Sequence, residues 1–522
     1  RLSTLPIPIP VENDPPSLAA HIKRVGKPVI KTNEFCITCH RGFLSQGSGH
    51  DAFVAALDEY GPWRRSPFAG TQSSFLAHEE SSQTCVDCHM PSGAKETVLH
   101  SHRFLGGHTT LAKMLGDSNQ LVAQNAFLRN RIDIDVPVWG VGKGKGRLSS
   151  EAVALQPGEK LWFDVVVSNR TVGHQYPGGA RDLRNAWIEV ELRQEVKGTV
   201  ALSVLSPETV LAEQSVHRLH VGMLDNDGNL VKTHDVSHFR TAAFDHTISP
   251  YDSRTIRYAW RIPKEWGMVK AFTVKARVVQ KRLSDAFFKR VCAESLEGRG
   301  PQFVEATLKH LKKKVDPCAS QPKTVMVSNK IQLGRASSLK PWERWYRHGL
   351  GLRHAVQEKM GLAAHSLENV MNKFPKDGDL IERASIRSAL ATVRIRQGRS
   401  DEALKEVKLL EGILGNHPLV SKLRADTYSV IWQVGEAGQW YEKAAERAPL
   451  DDSLWRMAAI SYGSDSKYRA ALELAQRGLD LEPRDADLLR LQMIATKRLN
   501  AAPETSRKAE AAFLEFRQDE LA

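Results

Sequence analysis

The chain has 522 residues, 25% of them charged, and a formal net charge of +13. This length predicts several domains, at roughly 150 residues each. Lys and Arg are interleaved with Asp and Glu and no nucleic-acid motif is present, so a basic surface in water is favoured over a nucleic-acid partner. No apolar run approaches the ~20 residues that span a bilayer, and we expect no transmembrane segment.

Residues 1–30 are rich in proline, in the stretches LPIPIP and NDPPS. Prolines at this density disfavour helices and strands, so we predict an extended, irregular arm that is either free or laid over a neighbour. No charged start followed by an apolar stretch is visible. A first residue of Arg1 fits a mature chain whose signal peptide was removed.

Residues 31–147 contain two copies of the pattern CxxCH. In c-type cytochromes the two thiols of this pattern form thioethers with one haem, and the adjacent histidine ligates its iron. Chance is a poor explanation for a double occurrence in a chain with six cysteines. We predict two covalent haems, attached at Cys36 and Cys39 with His40 on the iron, and at Cys85 and Cys88 with His89 on the iron.

Two other uses of paired CxxC motifs are disfavoured. A redox dithiol needs no histidine directly after the second cysteine, and a four-thiolate zinc site would leave both histidines unexplained. The rest of residues 31–147 is loop-rich, apart from a predicted helix near Asp51–Tyr60. A small domain with little secondary structure fits, because each haem would supply a large apolar core.

Residues 148–285 contain strand-like runs, LWFDVVVSN, AWIEVELRQ, TIRYAWRIP and AFTVKARVVQ. These runs are rich in Val, Ile, Trp and Phe, several alternate in polarity, and NDG at 226–228 is a turn signal. Several such strands joined by short turns predict an antiparallel β-sandwich.

Residues 286–340 have the pattern of a short helix followed by a basic connector. They hold the remaining cysteines, Cys292 and Cys318. Because covalent haem attachment occurs outside the cytoplasm, in an oxidising compartment, we predict a disulfide between them. It would close a loop that contains Lys312, Lys313 and Lys314. Two buried free thiols are the alternative.

Residues 341–522 have a helical pattern without strong β runs. SKYRAALELAQRGLDLEPRDADL is typical of a tetratricopeptide repeat (TPR), with Ala471 between paired helices. Pro449 precedes Pro483 by 34 residues, the TPR period, and a looser unit contains QGRSDEALKEV. We predict three or four degenerate repeats, as a scaffold or a concave partner surface. The whole chain is thus predicted to be multidomain α+β, with a dihaem domain, an antiparallel β-sandwich and a TPR-like solenoid.

A haem that only carries electrons needs a second axial ligand, His or Met, because two strong ligands keep the iron geometry nearly constant between redox states. Met90 adjoins His89 and is poorly placed. His174 lies in the glycine-flanked loop VGHQYPGG, whose backbone can approach closely. The other candidates are His100, His102 and His108 after the second motif and His50 and His78 between the motifs.

The pieces CVDCHMP, LHSHRFLGGHT and VGHQYPGGARDLRNAWIEVEL together resemble a family of exported multihaem cytochromes c with a C-terminal TPR region. The resemblance covers the haem region and sandwich and, more loosely, the TPR tail. It implies that the histidines of the HRF and GHxxPGG pieces, His102 and His174, are distal haem ligands. Many relatives carry more CxxCH motifs, and Pro67-Phe68 stands where some place a histidine, so multi-electron catalysis is not expected. The runners-up as ligands are His108, His100, His50 and His78.

Together these features predict two bis-histidine haems and an electron carrier rather than an enzyme. We expect export to the periplasm or the cell exterior, redox partner proteins, and assembly of a homopolymer or filament through the N-terminal arm and TPR region. Two alternatives stay open: a dihaem enzyme of the peroxidase or nitrogen-oxide reductase type with an open iron, and a TPR-mediated binding or sensor protein with structural haems.

Overall fold

The computed structural model describes residues 14–78, 82–90, 103–196, 199–205, 216–265, 272–308, 315–335, 339–354 and 359–517. It confirms the predicted fold class: a loop-rich N-terminal region, two packed antiparallel sheets and a C-terminal run of helices. The predicted domain boundaries stay predictions.

The N-terminal region consists of short elements: α1 (Pro15–Val25), α2 (Asn33–His40), β1 (Arg41–Leu44), β2 (Val54–Asp58), α3 (Tyr60–Arg64), α4 (Cys85–His89), α5 (Thr109–Met114) and α6 (Ser118–Leu128). The helix predicted near Asp51–Tyr60 is wrong. The strand β2 occupies half of that stretch because it pairs antiparallel with β1, and this pairing overrides local propensity. The arm is also less irregular than predicted, since Pro15 starts α1 at a position where the missing N–H of proline costs no helical bond.

The sandwich consists of two antiparallel sheets. One has the order β11-β5-β3-β4, from Ser253–Arg261, Lys160–Ser168, Asp133–Val141 and Arg147–Leu148. The other has the order β13-β12-β6-β7, from Thr324–Leu333, Phe272–Lys281, Asn185–Val196 and Thr199–Leu205, and β8 (His217–Leu219) also pairs with β6. A separate hairpin joins β9 (Val221–Leu224) to β10 (Thr241–Asp245).

Alternating inward residues of the two sheets form one buried apolar cluster, which includes Phe163 and Val165 on one sheet and Ile188, Val274 and Val278 on the other. This is the period of two expected for strands with one buried face. The strand β5 is buried along both faces, because a helix covers its outer side. The strands β3 and β13 lie outside the range 148–285 that the sequence predicted for the sandwich, and each pairs with a strand from within it.

Two short helices, α7 (Asp285–Leu296) and α8 (Gly300–Leu308), follow β12. Cys292 on α7 forms a disulfide with Cys318, with an S–S distance of 1.97 Å. The basic run Lys312–Lys314, predicted to lie within that loop, falls outside the described residues. The disulfide ties α7 to the segment that leads into β13.

The C-terminal helices are α9 (Pro341–Leu352), α10 (Met360–Lys373), α11 (Leu380–Arg396), α12 (Ser400–Leu414), α13 (Pro418–Val430), α14 (Val434–Arg447), α15 (Asp452–Ser464), α16 (Tyr468–Leu481), α17 (Ala486–Arg498) and α18 (Pro503–Phe516). Each packs against the next in the chain, as in a repeat solenoid. Ala471 is fully buried, and Pro449 and Pro483 lie in the turns after α14 and α16. No helix of the described ranges is long and apolar enough to cross a membrane.

Buried ion pairs join α9 to the sandwich. The guanidinium of Arg344 donates to both oxygens of Asp135 at 2.8 and 3.0 Å, and both side chains are 2% exposed. His348 donates from Nε2 to Asp164 at 2.8 Å, and Arg257 binds both oxygens of the same carboxylate. These hydrogen bonds outweigh burial and lower the pKa of Asp164 to about 2.

The segment between the two CxxCH motifs lies along the solenoid. The Arg64 guanidinium lies 2.7 Å from Asp452, and Arg41 pairs with Glu482. Leu76 belongs to the apolar cluster of α11, α12 and α13. Asp452 and Glu482 lie at or beside helix-to-helix turns, whereas the partners of Leu76 lie within the helices. The segment that carries the CxxCH motifs is thus supported by the repeats of its own chain.

We predict that Asp135→Asn destabilises the chain by about 3–5 kcal/mol, because it leaves the buried Arg344 cation without its counter-charge. Denaturant unfolding followed by tryptophan fluorescence measures the loss. Asp133→Asn is the matched control. Its carboxylate pairs with Arg347 but its side chain is 43% exposed, and we expect a cost below about 1 kcal/mol. Equal costs for the two variants would contradict this account.

Two stacked histidines are expected to make the stability of the folded chain decrease in acid. The rings of His217 and His246 have centroids 4.9 Å apart. Burial lowers the pKa of His217 to about 3 and that of His246 to about 4. The unfolded chain takes up protons near pH 6.5 and the folded chain does not, so stability is lost as pH falls below about 6.5.

We therefore expect His246→Gln to make the free energy of unfolding fall less between about pH 6.5 and 4 than it does in the unmodified chain. His238→Gln is the control, because its side chain is 63% exposed. A pH dependence of His246→Gln identical to that of the control would refute the assignment.

Candidate haem-binding site

Each CxxCH motif forms a short helix. The second one, α4, begins after Thr84, whose hydroxyl accepts the Asp87 N–H while the Asp87 carboxylate accepts the Thr84 N–H. This reciprocal cap fixes the first turn, so Cys85 and Cys88 lie about one turn apart and His89 directly follows Cys88. The first motif ends α2, and the Asn33 side chain accepts a hydrogen bond from the Cys85 N–H at 2.9 Å. The two motifs are therefore in direct contact.

The motif thiols lie close together across that contact. The Cys36 and Cys85 thiols are hydrogen-bond neighbours, and burial together with the nearby Cys36 raises the pKa of Cys85 to about 12. Burial also raises the pKa of Cys88. Cysteines active in disulfide exchange have a lowered pKa instead.

The structure brings His89 of the second motif and His174 of the sandwich loop together. The two ring centroids are 6.2 Å apart and the ring planes differ by 10°. Two imidazoles on opposite sides of one metal ion, each bonded at about 2 Å, have centroids about 6 Å apart. The spacing and near-parallel planes therefore fit a bis-histidine iron between the rings.

The proton positions on both rings also fit. His89 Nδ1 lies 2.6 Å from the carbonyl oxygen of Leu105, and His174 Nδ1 lies 2.9 Å from that of Gln175 and 2.7 Å from the Glu59 carboxylate. Each neighbour is an acceptor, so each Nδ1 carries the proton. The Nε2 lone pair of His89 is then available to a metal, and His174 offers the same lone pair when a metal displaces its second proton. Outer partners commonly orient ligating histidines in this way.

Local structure explains how His174 reaches this position. The Asn169 side-chain amide donates to the His174 carbonyl at 3.0 Å and to the Ile248 carbonyl at 3.1 Å, which ties the loop to the sheet end. A side chain at Gly178 would place its Cβ 2.6 Å from His174 Cε1, so only glycine fits beside the ring. The glycines of GHxxPGG therefore allow close packing around the histidine.

Glu59 is a site residue that the sequence analysis missed. It follows β2, its side chain is 15% exposed, and its carboxylate accepts from the Gly179 N–H as well as contacting His174. Burial alone would raise the pKa of Glu59, but His174 and the Gly179 N–H overcome this effect and lower it. The same contact raises the pKa of His174 against the effect of burial. No sequence motif marks Glu59, because its role depends on a partner 115 residues away.

The other histidine candidates fall in different places. His108 precedes α5, and burial with repulsion from Arg282, Arg184, His40 and His89 lowers its pKa to about 4. His50 is buried, with Nδ1 2.6 Å from the Ala52 carbonyl. His78 is 70% exposed and lies 4.0 Å from Asp379 on the solenoid. His100 and His102 lie outside the described residues.

Within the described ranges, no three or more His, Cys, Asp or Glu side chains converge as a metal site. A c-type haem does not need such a group, since its porphyrin supplies four nitrogens and the protein only the axial ligands. The described residues therefore offer the imidazole pair of His89 and His174 rather than a chelating cluster.

No protein-family model and no curated protein matches the chain. Among solved structures it is similar to a penta-heme cytochrome c552 from Thermochromatium tepidum, at 15% identity, covering 58% of this chain and 56% of that one, with a TM-score of 0.33. It is also similar to MamA (AMB-1), at 14% identity over 34% of this chain and 98% of that one, with a TM-score of 0.28. A MamA double mutant (RS-1) shows 15% identity over 34% and 93%, with a TM-score of 0.29. The chain thus spans 56% of the length of the penta-heme cytochrome, and TM-scores this low carry no argument about function.

Proposed function

We propose that this protein is an electron-transfer cytochrome with two covalent c-type haems and filled axial positions. The observation that carries the proposal is the pair of near-parallel imidazoles, His89 and His174, with centroids 6.2 Å apart. A CxxCH histidine facing a second histidine at this spacing is what a bis-histidine haem requires. A bound c-type haem supplies a reversible one-electron change at iron.

The protein residues would hold that iron in one geometry. Hydrogen bonds at Nδ1 orient both rings, so neither ring needs to move when the charge at the iron changes. Two nitrogen ligands leave no open position for a substrate, which favours an electron carrier over the alternative of a dihaem enzyme.

For the first haem we propose His40 as the proximal ligand and a histidine of residues 100–108 as the distal one. His102 is the candidate implied by the HRF motif. His108, directly before α5, is the alternative among the described residues. The contact between α2 and α4 would place the two haems side by side, which suits rapid exchange of electrons between them.

The solenoid is proposed to support the haem region within the chain. Its turns already bind Arg41 and Arg64, so this side of the repeats is occupied internally. Redox partners, export and assembly through the N-terminal arm remain predictions.

We expect His174→Ala to keep two haems per chain and to convert one low-spin haem to a high-spin form that binds cyanide, because its distal ligand is lost. Electron paramagnetic resonance and a haem assay on the same sample measure this. His238→Ala, at a 63% exposed side chain, is the control. An unchanged low-spin spectrum of His174→Ala would remove the main support for the proposal.

We also expect Glu59→Gln to raise the midpoint potential of one haem, because the carboxylate anion stabilises the more positive oxidised iron through His174. A tenfold change in the relative stability of the two oxidation states corresponds to about 59 mV for one electron, and we expect a shift of this order. Redox titration followed by absorbance measures it. Glu406→Gln on the solenoid, where Glu406 pairs with Arg387, should leave both potentials unchanged.

A further inference from the structure

Two arginines face each other at the end of the sheet nearest the haem motifs. The strand β6 begins at Asn185 and β12 ends at Lys281, and these two residues are paired in the ladder. Arg184 and Arg282, one position further out on each strand, are therefore opposite one another. Arg184 Nη1 donates to the Arg282 carbonyl at 3.3 Å, which confirms their proximity.

The pair carries two positive charges without a dedicated counter-charge. Within the part of the chain that the structure describes, Arg282 Nη1 is buried and has no acceptor. Burial lowers the pKa of Arg282 to about 10, and repulsion from Arg184 adds to the effect with no carboxylate opposing it. Like charges directly opposite in a sheet are destabilising, so this arrangement calls for an anion.

The carboxylates nearest to Arg184 are already engaged. Burial lowers the pKa of Arg184, and the negative charges of Glu59 and Asp182 oppose this lowering. Glu59 contacts His174, and Asp182 lies 2.6 Å from His234 Nδ1. Among the residues that the structure describes, Arg282 therefore keeps a buried donor for which no acceptor is supplied, and the carboxylates near Arg184 are occupied.

The loop around His174 holds Arg184 in place. Arg184 Nε donates to the Gly178 carbonyl at 2.7 Å. Gly179 has φ +84°, and a Cβ there would overlap the Arg184 guanidinium, so only glycine allows the side chain to pass. The PGG sequence thus positions an arginine as well as the histidine, which is more organisation than a freely solvated surface cation requires.

The pair also lies beside the loop that holds His174. Arg184 Nε donates to the Gly178 carbonyl, and a Cβ at Gly178 would lie 2.6 Å from His174 Cε1. Because Arg184 also contacts Arg282, the buried donor of Arg282 is close to a proposed haem ligand rather than on a remote surface.

We propose that Arg184 and Arg282 form a carboxylate-binding site that pairs with a propionate of one of the two haems. Each haem carries two propionates, and a guanidinium matches the geometry of a carboxylate. This inference rests on the proposed haem binding. The alternative is that the two arginines are only part of the general positive charge of the chain. It does not explain why Arg282 has a buried donor without an acceptor, or why a glycine leaves space for the Arg184 side chain.

The test compares Arg282→Gln, Arg282→Lys and the unmodified full-length, haem-loaded protein. We expect Arg282→Gln to keep two haems and shift the midpoint potential of one haem to a more negative value, because a cation near that iron is lost. A pH-dependent step should also appear between about pH 5 and 8, because the freed propionate takes up a proton more readily. Arg282→Lys should retain most of the original behaviour, because the charge is kept.

Lys281→Gln is the matched control, since it removes one positive charge from the adjacent residue, whose Nζ pairs with Asp285 at 2.9 Å. If Arg282→Gln follows Lys281→Gln at every pH, the site assignment is overturned. If added acetate shifts the unmodified protein but not Arg282→Gln, a free carboxylate occupies the site and the propionate assignment fails. A full-length chain purified without covalent haem would instead refute the proposed function, and the propionate assignment with it.

Discussion

The contact between Glu59 and His174 connects the two halves of the proposed haem site. The carboxylate comes from the segment between the CxxCH motifs, and the imidazole comes from a loop of the sandwich. Asn169 holds the His174 backbone within its own loop, but the carboxylate that contacts the ring comes from a distant part of the chain. Their contact fixes the ring that faces His89, so the site exists only when the haem region and the sandwich are docked.

Buried charge has the same role at the other junctions of the molecule. Arg344 with Asp135 and His348 with Asp164 join the first solenoid helix to the sandwich, and Arg64 with Asp452 joins the haem region to the repeats. Burying an ion pair costs desolvation free energy, and the attraction between the two charges offsets this cost only when their geometry is accurate. Such pairs tolerate few alternative dockings, so they fix the CxxCH segment, the sandwich and the solenoid relative to one another.

Local patterns predicted most of the architecture. The strand runs of the sandwich and the period between Pro449 and Pro483 depend on residues close in sequence, and the strands and paired helices that they predict are present. The haem attachment indicated by the CxxCH spacing stays a prediction. The errors fall where distant contacts decide. The composition near Asp51–Tyr60 favours a helix, but Val54–Asp58 forms the strand β2 because it pairs with β1. The strand β13 pairs with β12, although its segment is predicted as a connector.

The sequence by itself determined that two thiols and a histidine stand within five residues in each CxxCH motif, the pattern on which the haem proposal rests, and it indicated His174 through the GHxxPGG loop. Only the tertiary structure decided that His174 faces His89, that Glu59 orients it, and that Arg184 and Arg282 stand opposite each other. The physical reason is that coordination, ion pairing and like-charge repulsion act over a few ångströms in space, between residues that the chain keeps up to about a hundred positions apart.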